Sequence, residues 1–397
     1  MQNLVCVSHL RWDFVWQRPQ HLLSRLAKTC NLFFVEEPFA IAADEPQRLD
    51  HYVWHGTKGE SVTVFRLMQP MKEPRWVGHG DSLTDATYQR LLKKELLRLG
   101  VQSPDLWLYT PMAYGFIDAL APANVIYDVM DQLSAFKGAP AELVERDRAI
   151  LRRADIVFTG GASLYRDKAP HNPNTYLFPS GVEIDHFAGC DGLMTPDDLV
   201  AIPRPILGYF GVIDERMDLA LIEAMAQQHP EWSIVLIGPV VKIEYQELPQ
   251  ASNLHYLGMR AYSELPAYLA QFDVALIPFA MNEATRYLSP TKTLEYMAAH
   301  KPIVSTPIPD VIELYGSVVR VGCTEAEFIA HVEHALCSDD FKQRQAQERK
   351  LLEQHTWDAI AHKMASIIES HRASRRRPSI QRQPALDRQP AVRGLPA

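Results

Sequence analysis

Short apolar runs alternate along this chain with stretches in which apolar residues recur three and four positions apart. The runs have the length of buried strands and the stretches have the period of helices packed on one face. The alternation predicts an α/β chain with parallel sheets. Leu4 to Ser8 reads as the first strand, and a loop dense in aromatics follows from His9 to Arg18. Pro19 then opens a helix that turns Leu22, Leu23 and Leu26 inward, and Leu32 to Val35 is the second strand. Val53 to Arg66 alternates like one or two edge strands. Leu83 to Leu99 is helical and stops at Gly100. Strands are expected at Leu106–Tyr109, Asn124–Tyr127 and Ile156–Phe158, with an amphipathic helix at Ala141–Arg153.

The pattern breaks between Gly192 and Arg204, which is rich in Pro, Asp and Gly, and restarts at Pro205. Pro205–Phe210, Ser233–Ile237, Leu254–Leu257 and Asp273–Phe279 read as strands, with Leu219–Gln227 and a segment from Ser263 as helices. Ser289 is placed to cap a helix, Pro290 fits its first turn, and Leu294, Met297 and Ala298 share its inner face. Lys301-Pro302 ends that helix, Ile303-Val304 begins another strand, and Pro307 to Asp310 is a loop stiffened by two prolines. Thr324–Cys337, Asp339–Gln354 and Trp357–Ser370 are helical. The expected organisation is a first domain over 1–190, a linker over 191–204, a second domain over 205–356 and a helix over 357–373. A tail over 374–397 completes it, with six arginines, four prolines and almost no apolar periodicity, which reads as disordered.

Composition narrows the function. The chain has 397 residues, 47% of them hydrophobic and 22% charged, which is globular and long enough for two domains. A net charge of −8 argues against a nucleic-acid partner. Its five cysteines are scattered without CxxC spacing, so neither a zinc site nor a disulfide scaffold is indicated. No leader-like start and no apolar run of about 20 residues is present, and the expectation is a soluble cytoplasmic protein. The basic tail is either solubilising or a weak contact to the anionic inner face of a membrane, at about 1 kcal/mol per charge near lipid.

Candidate chemistry collects where strands end and helices begin, the edge at which open α/β sheets bind ligands. At the start of the Ser289 helix, Lys292 lies three residues before Glu295 on the same side. A cation near phosphates and a carboxylate one turn deeper suit a nucleoside diphosphate and its ribose hydroxyls. The bland alternative is a capped helix with a surface ion pair worth about 0.3 kcal/mol. Asp128 and Asp131 sit at the end of a strand and are either site carboxylates or helix caps. Arg11, Trp12, Asp13, Trp16 and Arg18 either line an acceptor pocket or pack a lid. Gly238, before Pro239, is a place where backbone can approach a ligand.

The segment Ser289-Pro-Thr-Lys292 through Thr306 resembles the donor-binding helix of retaining GT-B glycosyltransferases of the family-four, group 1 type. The run W-D-x-x-W-Q-R-P-Q-H, from Trp12 to His21, looks like a signature of a bacterial subgroup that makes cell-surface polysaccharides. Pro179 to Phe187 is similar to the segment that closes the first domain of such enzymes. The resemblance implies two Rossmann-like domains facing each other across a cleft, with a nucleotide sugar, by default UDP-linked, held by the second. It implies that Ser289, Pro290, Thr291, Lys292 and Arg216 hold the diphosphate, that Glu295 holds the ribose, and that Met259 and Arg260 hold the base through backbone groups. The acceptor, a glycan or lipid-linked glycan, would meet the first domain, with Asp128 and Asp131 nearest the chemistry. Transfer would be retaining, without metal or cofactor. The chain departs from the pattern in six places: Ser289-Pro-Thr-Lys292 stands in place of a Gly-rich approach and Ser180 in place of the usual Asn. Tyr287 stands where an earlier glutamate is usual, and Met130 where a histidine is. The first loop lacks a Gly-Gly pair, and no lysine follows Arg216, so Lys292 would supply that charge. A nucleotide-sugar epimerase of the same fold and a non-catalytic sugar-binding protein are the competing readings.

Overall fold

The computed structural model describes residues 2–70, 77, 82–135, 139–283, 285–338 and 343–376. It contains two sheets. The first is built from β1 (Gln2–Val7), β2 (Cys30–Val35), β3 (Phe39–Ile41), β4 (Arg48–His55), β5 (Ser61–Pro70), β6 (Asp105–Leu108), β7 (Asn124–Val129), β8 (Ile156–Thr159) and β9 (Thr175–Leu177). Their order is β3-β5-β2-β1-β6-β7-β8-β9, all parallel, with β4 antiparallel on β5. The second contains β10 (Ile206–Phe210), β11 (Ser233–Ile237), β12 (Leu254–Gly258), β13 (Val274–Ile277), β14 (Ile303–Ser305) and β15 (Arg320–Val321), in the order β12-β11-β10-β13-β14-β15. This is the expected pair of parallel sheets, the GT-B arrangement.

The helices follow from the same patterning. The first domain carries α1 (Arg18–Leu26), α2 (Ser82–Arg98), α3 (Gly115–Leu120), α4 (Glu142–Arg153) and α5 (Ala162–Lys168), and α6 (Ile184–Phe187) leads out of it. The second carries α7 (Leu219–Gln228), α8 (Leu265–Ala270), α9 (Lys292–Ala298), α10 (Pro309–Tyr315), α11 (Glu325–Cys337), α12 (Gln345–Gln354) and the last helix, α13 (Trp357–Arg376). Helix α1 shows why the sequence folds this way. Gln17 and Gln20 form a capping box, Pro19 fits the first turn, and Leu22 and Leu23 are fully buried, each worth about 1.5–3 kcal/mol against an exposed side chain. The strands flanking β1 and β10 are buried on both faces, which is why they read as continuous apolar runs.

The structure corrects several local expectations. The 53–66 region forms β4 and β5, but only β4 is an edge, because β5 also pairs with β2 and β3. Helix α9 begins at Lys292 with Thr291 before it, so Ser289 does not cap it and Pro290 precedes its first turn. Pro309 and Asp310 belong to the first turn of α10 rather than to a loop. The chain between β9 and β10 is packed: Val182, Phe187, Cys190 and Leu199 are buried in the second core. Residues 374–376 continue α13, and the rest of the predicted tail lies outside the described residues, as does the predicted helix start at 339–342.

Helix α13 returns to the first domain. Trp357, Ile360, Ala361, Met364 and Ile368 join the core formed by β1, β2 and α1. Trp357 stacks on His21 at 4.7 Å, and Arg25 of α1 reaches Asp358 at 3.2 Å. No helix among the described residues is long and apolar enough to cross a membrane.

Candidate functional site

In each sheet the strand order reverses once, beside β1 in the first and beside β10 in the second, which opens a crevice at the strands' carboxyl ends. The loops after β10 and β13 meet at the second crevice, and there the chain places its cations. Asp214 is buried and takes Arg216 in a fork, with Nε at 2.9 and 3.1 Å and Nη2 at 2.8 Å. Burial works against the Arg216 charge, and Asp214 more than offsets it, so the pKa is raised. Lys292 reaches across from α9 and lies 5.7 Å from the centre of the Tyr209 ring. It passes so close to the backbone that a Cβ on Gly211 would fall 2.2 Å from its Cε. Gly211 has φ +145°, and a Cβ on Gly238, at φ +146°, would fall 1.8 Å from the Gly211 carbonyl oxygen. Gly238 is thus explained by packing between two loops, and Gly211 by the passage of Lys292 beside it.

Burial lowers the Lys292 pKa and Arg216 pushes it the same way, while Glu295 and Asp214 oppose. One turn deeper, burial pushes the Glu295 carboxyl up to about 7 against the pull of Lys292. Two cations therefore face one crevice, Arg216 forked by Asp214 and Lys292 one turn from a Glu295 that burial pushes up to about 7, an arrangement that suits an anion. Helix α9 has seven residues, so the charge at this edge comes from side chains more than from a helix dipole. Of the remaining residues expected here, Thr291 and Pro290 shape the turn before Lys292, and Ser289 turns away toward Asp310. Met259 is 60% exposed at the end of β12, while Arg260 is held by Asp198 at 2.6 Å and by the Tyr268 hydroxyl at 2.7 Å.

The first crevice is different. Asp128 is fully buried and forked by Arg18, with Nε at 3.1 Å from both oxygens and Nη2 at 2.9 Å. Arg18 also donates to the Phe178 carbonyl at 2.8 Å. The pair joins α1, β7 and the chain after β9, and neither side chain reaches the cleft: Arg18 is 3% exposed. Trp12 is buried among Trp16, Phe34 and Trp54 and makes core rather than a pocket wall. Trp16 is half-buried and donates its indole N–H to His21 Nδ1 at 3.0 Å. Arg11 donates to the carbonyls of Glu37 and Pro38 and stacks 3.6 Å over Phe39. Asp13 takes Tyr52 and Arg66 at 2.6 and 3.0 Å.

Asp131 alone among these residues looks across to the second domain. Its carboxyl is pushed up by burial and pulled back by Arg216, Arg18 and Lys242. Lys242 carries a left-handed backbone, φ +64°, and sits 3.2 Å from Glu215. Gly211, Tyr209, Asp214 and Lys242 had no motif to mark them in the sequence. A glycine directly after a strand was the available signal for the first. Also unforeseen is His9, at the end of β1, lowered by burial to about 4. Among the described residues no group of three or more His, Cys, Asp or Glu is arranged to hold a metal.

Comparison with known proteins bears on the fold and the family. Residues 204–338 match the family description "Glycosyl transferases group 1", and they contain Arg216, Lys292 and Glu295. A putative teichuronic acid biosynthesis glycosyltransferase of Bacillus subtilis is 25% identical over 304 residues, covering 70% of this chain and 76% of the relative. Among solved structures, the sucrose-phosphate synthase of Thermosynechococcus elongatus superposes with TM-score 0.69 at 14% identity, over 94% of this chain and 100% of that one. An E. coli trehalose-6-phosphate structure bound with UDP-2-fluoro glucose superposes at 0.65 and 13% identity, over 93% and 99%. At these identities the structural likeness is one of fold, and it extends over both domains.

Proposed function

We propose that this glycosyltransferase, whose residues 204–338 form a group 1 domain on the GT-B fold, moves a sugar from a UDP-linked donor to a glycan or lipid-linked acceptor in surface-polysaccharide synthesis. The observation that carries the donor assignment is the convergence of Arg216 and Lys292 on one crevice, with Glu295 a turn deeper. Arg216 and Lys292 take the diphosphate, and Glu295 accepts from the ribose hydroxyls. Met259 and the backbone beside Arg260 face the base. As the sugar–phosphate bond breaks, charge grows on the leaving diphosphate where the two cations already stand. That is electrostatic stabilisation of the leaving group, and it supports transfer without a metal or cofactor; retention is assigned from the resemblance of the Ser289–Thr306 segment to retaining enzymes.

Asp131 is the carboxylate on the first domain assigned to sugar or acceptor hydroxyls. The uridine assignment is supported by the neighbour that holds UDP-2-fluoro glucose, and the pathway by the teichuronic acid relative. The reaction is assigned to the cytoplasm, at the inner face of the membrane where a lipid-linked acceptor would lie. Donor binding is tested by a thermal-shift screen of nucleotides and nucleotide sugars with and without EDTA, and turnover by release of the nucleoside diphosphate with acceptor present. A ligand at a hundred times its Kd stabilises by about 2.7 kcal/mol. A shift from uridine diphosphate and its sugars that EDTA leaves unchanged is expected. No shift from any nucleotide would remove the reading, and sugar epimers formed without acceptor would replace it with an epimerase.

A further inference from the structure

Between the two domains lies a buried carboxylate whose partners are backbone and hydroxyl groups rather than a cation. Asp310, in the first turn of α10, is 0% exposed. Its Oδ1 accepts the Ser163 backbone N–H of the first domain at 2.8 Å. Its Oδ2 is buried without a well-formed hydrogen bond. Burial raises the carboxyl's pKa, and Ser163, the Ala162 amide and the Ser289 hydroxyl oppose. A lone buried carboxylate is costly, by several kcal/mol, unless the structure around it is fixed for another reason.

The surroundings supply that reason. A Cβ on Gly161 would fall 2.1 Å from Asp310 Oδ2 and 3.0 Å from Ser289 Cβ, so only glycine lets the carboxylate and the Ser289 turn come this close. Tyr287, two residues before Ser289, packs against the core of the first domain. Arg166 of α5 meets Glu313 of α10 at 3.2 Å across the same seam. Asp310 and Tyr287 thus hold the turn that precedes Lys292 on the first domain, and Arg166–Glu313 adds a surface pair between α5 and α10.

We propose that Asp310 is a positioning residue: seated on Gly161–Ser163, it fixes the Ser289–Lys292 turn against the first domain and so sets the closed arrangement in which donor and acceptor meet. This rests on the donor reading of Lys292. Asp310 touches no substrate in this scheme, and Arg216 is held by Asp214 within its own loop.

The test uses the full chain with Asp310→Ala, Asp310→Asn, Gly161→Ala and the Asp310→Ala/Gly161→Ala pair. Misplacement of reacting groups by about an ångström costs 10- to 100-fold in rate. We expect kcat to fall by that much in Asp310→Ala with donor KM within twofold. Gly161→Ala should do the same from the opposite domain, the double variant should be no worse than either, and Asp310→Asn, which keeps an acceptor for Ser163, should recover most of the rate. Hydrogen exchange at residues 161–164 should rise in Asp310→Ala and Gly161→Ala. Additive losses, an unchanged kcat, or a donor KM that rises with the fall in kcat would overturn the proposal. If no nucleotide sugar is turned over, the donor reading fails by itself. Hydrogen exchange then still decides the seam: unchanged exchange in both variants rejects it.

Discussion

The two crevices of this molecule use the same residue types to opposite ends. At the edge of the first sheet, arginine meets carboxylate in closed pairs: Arg18 with Asp128, and Arg66 with Glu36 and Asp13. At the edge of the second, Arg216 and Lys292 face each other, with Asp214 as counter-charge and a Glu295 held near neutral. The first set is complete without a ligand and joins strands to helices. The second adds Lys292 beside an arginine–carboxylate pair, at the crevice assigned to the donor. A charged residue in a loop at a strand end is therefore weak evidence for binding. What decides is whether a cation stands beyond the pairs: Arg216 is itself forked by Asp214, and Lys292 is the cation added beside it.

Substitution can break this contrast, and the largest effect should come from the closed pair. Asp128→Ala leaves the Arg18 guanidinium buried and unpaired, so unfolding free energy should drop by about 3–5 kcal/mol. A urea midpoint close to that of the parent chain would show that the pair is not structural. Next, Arg216→Ala should cut kcat by about 10²–10³, or 2.7–4 kcal/mol, with a far smaller change in melting temperature than Asp128→Ala. Untouched turnover would end the diphosphate assignment and put both crevices in the same class.

The smallest effect sharpens the comparison through pH. Glu295 is raised to about 7 from 4.5, so its stabilising contribution is full below about 4.5 and is lost as pH climbs through 7. The ionised carboxylate is the stronger acceptor for ribose hydroxyls. Donor affinity should therefore strengthen several-fold from pH 6 to pH 8 as ligand-free stability falls. Glu295→Gln should flatten both trends, and Glu295→Ala should weaken the donor several-fold at pH 8. Calorimetry in which Glu295→Gln keeps the parent's pH slope would assign the titration to another group.

Much of the fold was legible because parallel strands buried on both faces leave unbroken apolar runs, as in Ile206–Phe210 and Ser233–Ile237. Boundaries were legible only where local chemistry set them. Gln17 and Pro19 mark the start of α1, but Ser289-Pro290 misled, because tertiary contact with Asp310 outweighs capping at that serine. The position of β5 was hidden, since strand order depends on which faces meet and not on alternation within the strand. For the site, Lys292 and Glu295 were visible as an i, i+3 pair on one helix. Arg18 and Asp128 are 110 residues apart, and nothing local tells that they cancel. Asp310 was hidden for the same reason: its partner Ser163 is 147 residues away on the other domain.

The return of α13 has a consequence for how the chain is made. The core around Leu22, Phe34 and Trp107 is completed by Trp357, Ile360 and Met364, which leave the ribosome after every strand of the second sheet. Domains usually fold in the order of synthesis. Here the second domain has all its strands while the first still shows an apolar groove along α1. Until the last helix arrives, the nascent protein is a second domain with its sheet complete, tethered to a first domain with an open seam. A stop codon near residue 356 would leave that groove uncovered for good.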